Sequence, residues 1–112
     1  MDILSKYENM LGASTKVLLQ IGDKFDSYKA RAKTRNMDFK LSFSQFDALV
    51  KDDCHYCKVP VKDKPMGIDR VNSKRGYTLS NSVSCCWTCN RAKSDMSYID
   101  FTDYLKRFKY FT

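Results

Sequence analysis

GIDRVNSKRGYTLSNSVSCCWTCNRAKSD, residues 67–95, decides how this chain is read. It contains one Cys-x-x-Cys pair, Cys86 and Cys89, and a second pair, Cys54 and Cys57, stands upstream of it. Two such knuckles supply four thiolates, the number that a tetrahedral structural zinc takes. The two spacer residues in each pair let both sulfurs bend toward one ion. The interval from 58 to 85 is longer than the usual zinc-ribbon spacing, so it must fold into something of its own. It reads as a β-hairpin, with 67–71 as the first strand, 72–76 as a polar turn ending in glycine, and 77–79 as the return. A short helix from about Trp87 then carries Asn90 and Lys93.

The chain has 112 residues, enough for one small domain. Its expected organisation is an N-terminal helical leader over 1–36 and a zinc-stapled domain over 37–112, in one compact unit. A core of this size is marginal without a staple, and a structural zinc would serve as one. Twenty Lys and Arg against 13 Asp and Glu give a net charge of +7. That balance suits a nucleic-acid or anionic partner, although it would equally suit a merely soluble protein. Five cysteines is an odd number, and with two knuckles and no signal peptide they read as metal ligands, not a disulfide framework. The expected setting is therefore an intracellular, reducing compartment, with no secretion. No apolar run approaches the ~18–20 residues of a membrane span, so no membrane partner is expected.

Outside the knuckles the chain is largely helical in rhythm. Ile3, Leu4, Tyr7, Met10 and Leu11 are spaced as a short packing helix that Gly12 could end. Leu18, Ile21, Phe25, Tyr28 and Ala32 mark the buried face of a helix starting near Ser14 or Thr15. Its basic end, with Lys29, Arg31, Lys33 and Arg35, fits either a dipole-stabilised solvated terminus or a phosphate-contacting face. Residues 38–41 form a short extended link. Ser42 with Gln45 is a capping box for a helix bearing Phe43, Phe46, Leu49 and Val50. Ser97 with Asp100 opens a last helix, whose Tyr98, Phe101, Tyr104, Leu105 and Phe108 read as a core stripe. Cys85, the fifth cysteine, reads as a small buried side chain, because Cys86 has the ligand spacing to Cys89.

The Gly-Ile-Asp-Arg segment at 67–70, Asn81, and Cys-Asn-x-x-Lys at 89–93, set between two knuckles, together resemble the HNH endonuclease superfamily, the ββα-metal nucleases. The resemblance covers 54–95 most strongly and reaches back to Tyr28, where YKARAKTRNMDFKLSFSQF is similar to the leader of phage- and virus-type members. It implies an α+β fold with a ββα-metal core, a four-cysteine zinc site and flanking α-helices. It implies that Cys54, Cys57, Cys86 and Cys89 hold a structural Zn²⁺. It also implies that Asp69 and Asn90 bind a catalytic divalent cation, and that Asn81 braces the loop. One position departs from the family's usual pattern. The general-base histidine that follows the metal aspartate is here Arg70, a form seen in a subset of the family.

The chemistry that the resemblance implies is metal-assisted hydrolysis or nicking of DNA phosphodiester bonds. Oxygen ligands such as Asp69 and Asn90 suit Mg²⁺ or Mn²⁺. Arg70 stays protonated and cannot be a base, but it can clamp a phosphate oxygen. Tyr56 and His55, in the first knuckle, are the candidates for nucleophile or base, with Tyr77 a weaker one. Packing is the competing reading for each of them. Lys74, Arg75, Arg91 and Lys93, with Arg31 and Arg35, are the expected contacts to nucleic acid, double-stranded DNA first. Cutting both strands would call for a homodimer or two nicks. The alternative is a catalytically inactive HNH-fold binding module in a larger nucleoprotein assembly, for example a ribosome-like particle. A Cys-x-x-Cys redox protein would need a thioredoxin-like βαβ pattern, which the sequence lacks.

Overall fold

The structure, a computed structural model, describes residues 15–108. The helix expected over 1–13 and the residues after Phe108 lie outside that range. The first described element, α1, spans Thr15–Thr34. Its packed stripe runs through Val17, Ile21, Phe25, Tyr28 and Ala32, against a core that also takes in Phe46 and Ile68. Leu18, expected on that face, is exposed. Val17 replaces it because steps of four from 17 to 25 stay on one side of the helix, and position 18 lies about 100° further round. Asn36, in the left-handed region at φ 56°, ends the helix, and the N–H of Met37 reaches back to the Ala32 carbonyl at 2.8 Å.

Helix α2 spans Phe43–Val50 and has the expected capping box: the Ser42 hydroxyl accepts from the Gln45 N–H, and the Gln45 side chain accepts from the Ser42 N–H. It buries Phe46 and Val50 completely. The first knuckle comes next, and then strand β1, Gly67–Arg70.

The return strand is not where the sequence put it. Strand β2 is Ser82–Cys85, antiparallel to β1, with Gly67 opposite Cys85 and Arg70 opposite Ser82. Residues 77–79 belong to the connecting loop. There Tyr77 makes an isolated parallel bridge to Phe39, with Tyr77 N–H donating to Asp38 O at 2.9 Å and Lys40 N–H to Tyr77 O at 2.8 Å. The β-branched and aromatic run at 77–79 pairs with the 38–41 link instead, which uses the same propensity for a different partner. Two glycines are fixed by close approach. A side chain at Gly76 would run into the Asp38 backbone, and one at Gly67 would meet the Tyr28 hydroxyl at 3.0 Å.

Helix α3, Trp87–Lys93, begins directly after β2, and α4, Tyr98–Lys106, opens on the Ser97 cap, whose hydroxyl accepts from the Asp100 N–H. The β-ribbon lies between two apolar clusters. One joins α1 and α2 to Ile68; the other joins the knuckles to Phe101 of α4, with Tyr56 and Phe101 rings 5.0 Å apart. Alternation along β1 therefore sends Ile68 into the helical core and Asp69 to the opposite, knuckle-bearing face. The architecture is α+β, a ββα unit packed by flanking helices, as the sequence implied. No helix of the described residues is long and apolar enough to cross a membrane.

Candidate functional site

The four knuckle cysteines converge. The sulfurs of Cys54, Cys57, Cys86 and Cys89 all lie within 4.8 Å of one another. A tetrahedron with Zn–S bonds of ~2.3 Å has edges of ~3.8 Å, and Cys57 Sγ sits 3.8 Å from Cys86 Sγ. Backbone N–H groups are already turned onto the sulfurs: Cys86 N–H to Cys54 Sγ at 3.4 Å and Cys89 N–H to Cys86 Sγ at 3.3 Å. Burial works against a Cys54 thiolate, but N–H donors from Cys86, Cys57 and Tyr56 outweigh it and bring its pKa down. The donor set fits a closed, structural zinc site. Cys85 stands outside the cluster. Burial first, then the neighbouring thiolate and carboxylate charges, push its pKa well up, which keeps it a neutral thiol.

Asp69 forms the centre of a second, polar cluster. Its carboxylate accepts from the Tyr56 hydroxyl at 2.5 Å and pairs with Lys93 Nζ at 3.1 Å. The two charged side chains are 13% and 5% exposed, so this pair is shielded from water. Burial, then the hydrogen bond to Asp69, raise the Tyr56 pKa far above the ordinary phenol value. As placed, Tyr56 is protonated and donates its hydrogen bond to Asp69. His55 Nε2 lies 2.9 Å from the Tyr98 hydroxyl. Burial, then nearby Lys58, lower its pKa, with Asp69 working the other way, so the imidazole is neutral. Lys93, expected on nucleic acid, is buried and committed to Asp69.

Asn90 and Arg70 take different places from Asp69. Asn90 is exposed on α3, one turn before Lys93, and lines an open groove, of which Asp69 is not a lining residue. Arg70 comes directly after Asp69 in the strand and so points to the other face. Its Nη1 donates to the carbonyls of Ser73 at 2.7 Å and Arg75 at 3.0 Å, with the guanidinium 5.4 Å from the Tyr77 ring centroid. Strand alternation thus turns Arg70 into the loop, not beside Asp69 as a phosphate clamp.

Asn81 braces that loop. Its side chain accepts from the Asn72 N–H at 2.8 Å and donates to the carbonyls of Asn72 at 3.1 Å and Gly76 at 2.9 Å. Three bonds at roughly 1 kcal/mol each predict that Asn81→Ala costs about 2–3 kcal/mol. Urea unfolding should show that loss, with faster amide exchange at Asn72. An unchanged midpoint would mean that the loop holds without its brace.

Of the other expected contacts, Lys74 and Arg75 are exposed at the loop tip, and Arg35 is exposed just past the end of α1. Arg31 and Arg91 stack on neighbouring rings, at 4.7 Å from Tyr28 and 4.6 Å from Trp87. The sequence reading missed two residues. Tyr98, taken as core, orients His55. Trp87, passed over as a helix start, is 69% exposed. Its place as a knuckle spacer does not by itself signal that, since Tyr56, a spacer of the first knuckle, is buried.

No protein-family model matches the chain. Among solved structures it is similar to the rare-cutting HNH restriction endonuclease PacI, with a TM-score of 0.64 over 79% of this chain and 75% of that one, at 19% identity. The fold is the ββα-metal fold of the HNH nucleases. In this HNH fold, β1, β2 and α3 form the ββα unit, and the first knuckle meets the second at the β2–α3 junction. Among curated proteins the chain is similar to uncharacterized protein R423 of Acanthamoeba polyphaga mimivirus, 37% identical over 79 residues, or 70% of this chain. The match spans 15% of the length of that viral protein.

Proposed function

We propose that the protein is an HNH-type endonuclease that hydrolyses or nicks DNA. The observation that carries this is Asp69. It is a nearly buried carboxylate on β1 of the ββα unit, held by Tyr56 and already facing a cation, Lys93. The similarity in fold to an HNH restriction endonuclease supports the reading. The Asp69 carboxylate is a hard oxygen donor that suits Mg²⁺ or Mn²⁺, whereas Asn90 lies on the groove wall and is not brought to it here. Bound there, such an ion would polarise a phosphoryl oxygen and stabilise the leaving alkoxide. Tyr56 fixes the carboxylate through its phenolic proton. His55, kept neutral, accepts a proton from the attacking water, with Tyr98 orienting its ring. A zinc held by the four thiolates would have no open position and would take no part in the chemistry.

The test is supercoiled-plasmid cleavage with added Mg²⁺ or Mn²⁺. The expected result is cation-dependent nicking that falls about 100-fold or more in Asp69→Asn, the scale of losing one preorganised electrostatic group. His55→Ala should fall in the same direction. A second reading draws on the same geometry: Asp69 is filled by Lys93 and Tyr56, and Arg70 is spent on the loop. A zinc-loaded, folded protein that shifts DNA and never cuts it would establish that reading, a binding module of HNH fold.

A further inference from the structure

The cation–π pair on α3 is not absorbed by the catalytic reading. Trp87 occupies the first position of the helix, after the Cys86 cap, and Arg91 lies one turn on. The guanidinium sits 4.6 Å from the indole centroid, yet the ring remains 69% exposed. An indole that packs into no core and is held in orientation by a cation is a preorganised flat surface. Trp87 also lines the groove between α1 and the ββα unit, an opening of about 1050 Å³. The charged groups on the groove wall are Lys24, Arg31 and Lys64, against the one carboxylate of Asp23. Asn90 closes the same wall.

We infer that this groove binds a nucleic-acid strand with an unpaired base stacked on Trp87. An aromatic face beside a line of cations matches the alternation of bases and phosphates along a single strand. The face accepts any base, so the contact gives affinity for unstacked nucleotides without reading sequence. In a duplex the bases are covered by their neighbours, and Trp87 can stack only where one is unpaired. The inference deepens the nuclease reading, on which it rests, by naming a substrate with an unpaired segment at that edge of the site.

Trp87 is the only tryptophan in the chain, so its emission reports the contact directly. The experiment titrates the zinc-loaded protein, without added Mg²⁺ or Mn²⁺, with three probes. These are a 20-nucleotide thymidine strand, a blunt duplex of the same length, and that duplex with one bulged thymine. The single strand and the bulged duplex should quench Trp87, and the blunt duplex should not. By anisotropy of a labelled strand, Trp87→Ala should bind the thymidine strand about 5- to 150-fold more weakly, the range of one base–aromatic stack. Trp87→Phe should keep most of the affinity. The salt dependence should be the same in all three proteins, because the phosphate contacts are untouched. Unquenched emission at saturating strand, binding of Trp87→Ala within twofold of wild type, or no binding at all would overturn the inference. The nuclease reading fails separately, in the plasmid assay. A protein that quenches on the strand and never cuts keeps the stack and loses the catalysis.

Discussion

Removing zinc should unfold the domain, and replacing a single buried ligand should do the same. Cys54 and Cys89 are not appended to a finished core. They are 0% and 5% exposed, in one cluster with Tyr56, Met66, Cys85 and Phe101. With Val61, Val83, Met96, Tyr98 and Leu105 packed against it, that cluster supports α4 and the knuckle face of the ribbon. A structural zinc contributes about 10–16 kcal/mol of binding free energy in small metallo-domains, comparable to the whole ~5–15 kcal/mol net stability of an ordinary one. Without the ion, four sulfurs packed within 4.8 Å would have to be neutral thiols with poor contacts, or thiolates that repel. We expect one zinc per chain by metal analysis. We also expect loss of the cooperative melt on chelation at neutral pH and in Cys54→Ser. Cys85→Ala is the control. It is as buried as Cys54 and Cys89, but it lies outside the cluster, so it should keep its zinc and a cooperative melt. A protein that folds with no zinc, or in which chelation leaves the melt unchanged, would show that the four cysteines are not a staple.

Much of that site is legible in the sequence, and the reason is local. A Cys-x-x-Cys knuckle is fixed by two cysteines three positions apart, a capping box by residues at the same spacing, and both Ser42 and Ser97 cap as read. The brace made by Asn81 is implied by the family resemblance, and its three bonds go to the loop that the resemblance names. What failed was pairing. Residues 77–79 and 82–85 are both acceptable strands by composition, and only the tertiary context decides. The Tyr28 hydroxyl holds the Ile68 N–H at 3.0 Å, Phe39 takes Tyr77, and the partner left for β1 is 82–85.

Side-chain direction was the other loss. Placing Asp69 and Arg70 together as catalytic neighbours ignores the period of two along a strand, which separates them onto opposite faces. Placing Lys93 on nucleic acid followed from its Cys-Asn-x-x-Lys context. Its spacing from Asn90 was correct, but what lies across from the helix is a buried carboxylate 24 positions earlier in the chain, and no local pattern can show that.

Lys93→Met should be the most damaging substitution outside the zinc ligands. The ammonium lies 3.1 Å from Asp69, and both groups are nearly sealed from water. Breaking a buried pair from one side costs about 3–5 kcal/mol, because the remaining charge keeps its desolvation penalty and loses its compensation. For a domain of this size that is a fall in melting temperature on the order of 15 °C. The Tyr56 hydrogen bond recovers only part of it, since a single neutral donor is weaker than a charge. The double variant Asp69→Asn/Lys93→Met should be more stable than Lys93→Met alone, since neither charge is then left buried and unpaired. Divalent cations separate a structural pair from a site built for positive charge. In Lys93→Met the carboxylate has no rival cation, so Mn²⁺ should raise its melting temperature, through about 2.7 kcal/mol of added stability at a hundredfold excess over its dissociation constant. Wild type should respond less, because Lys93 competes for the same oxygens, and the double variant should not respond. Equal stability of Lys93→Met and wild type would make the pair energetically idle. An equal Mn²⁺ response in the double variant would place the cation somewhere other than Asp69, and the proposed catalytic centre would move with it.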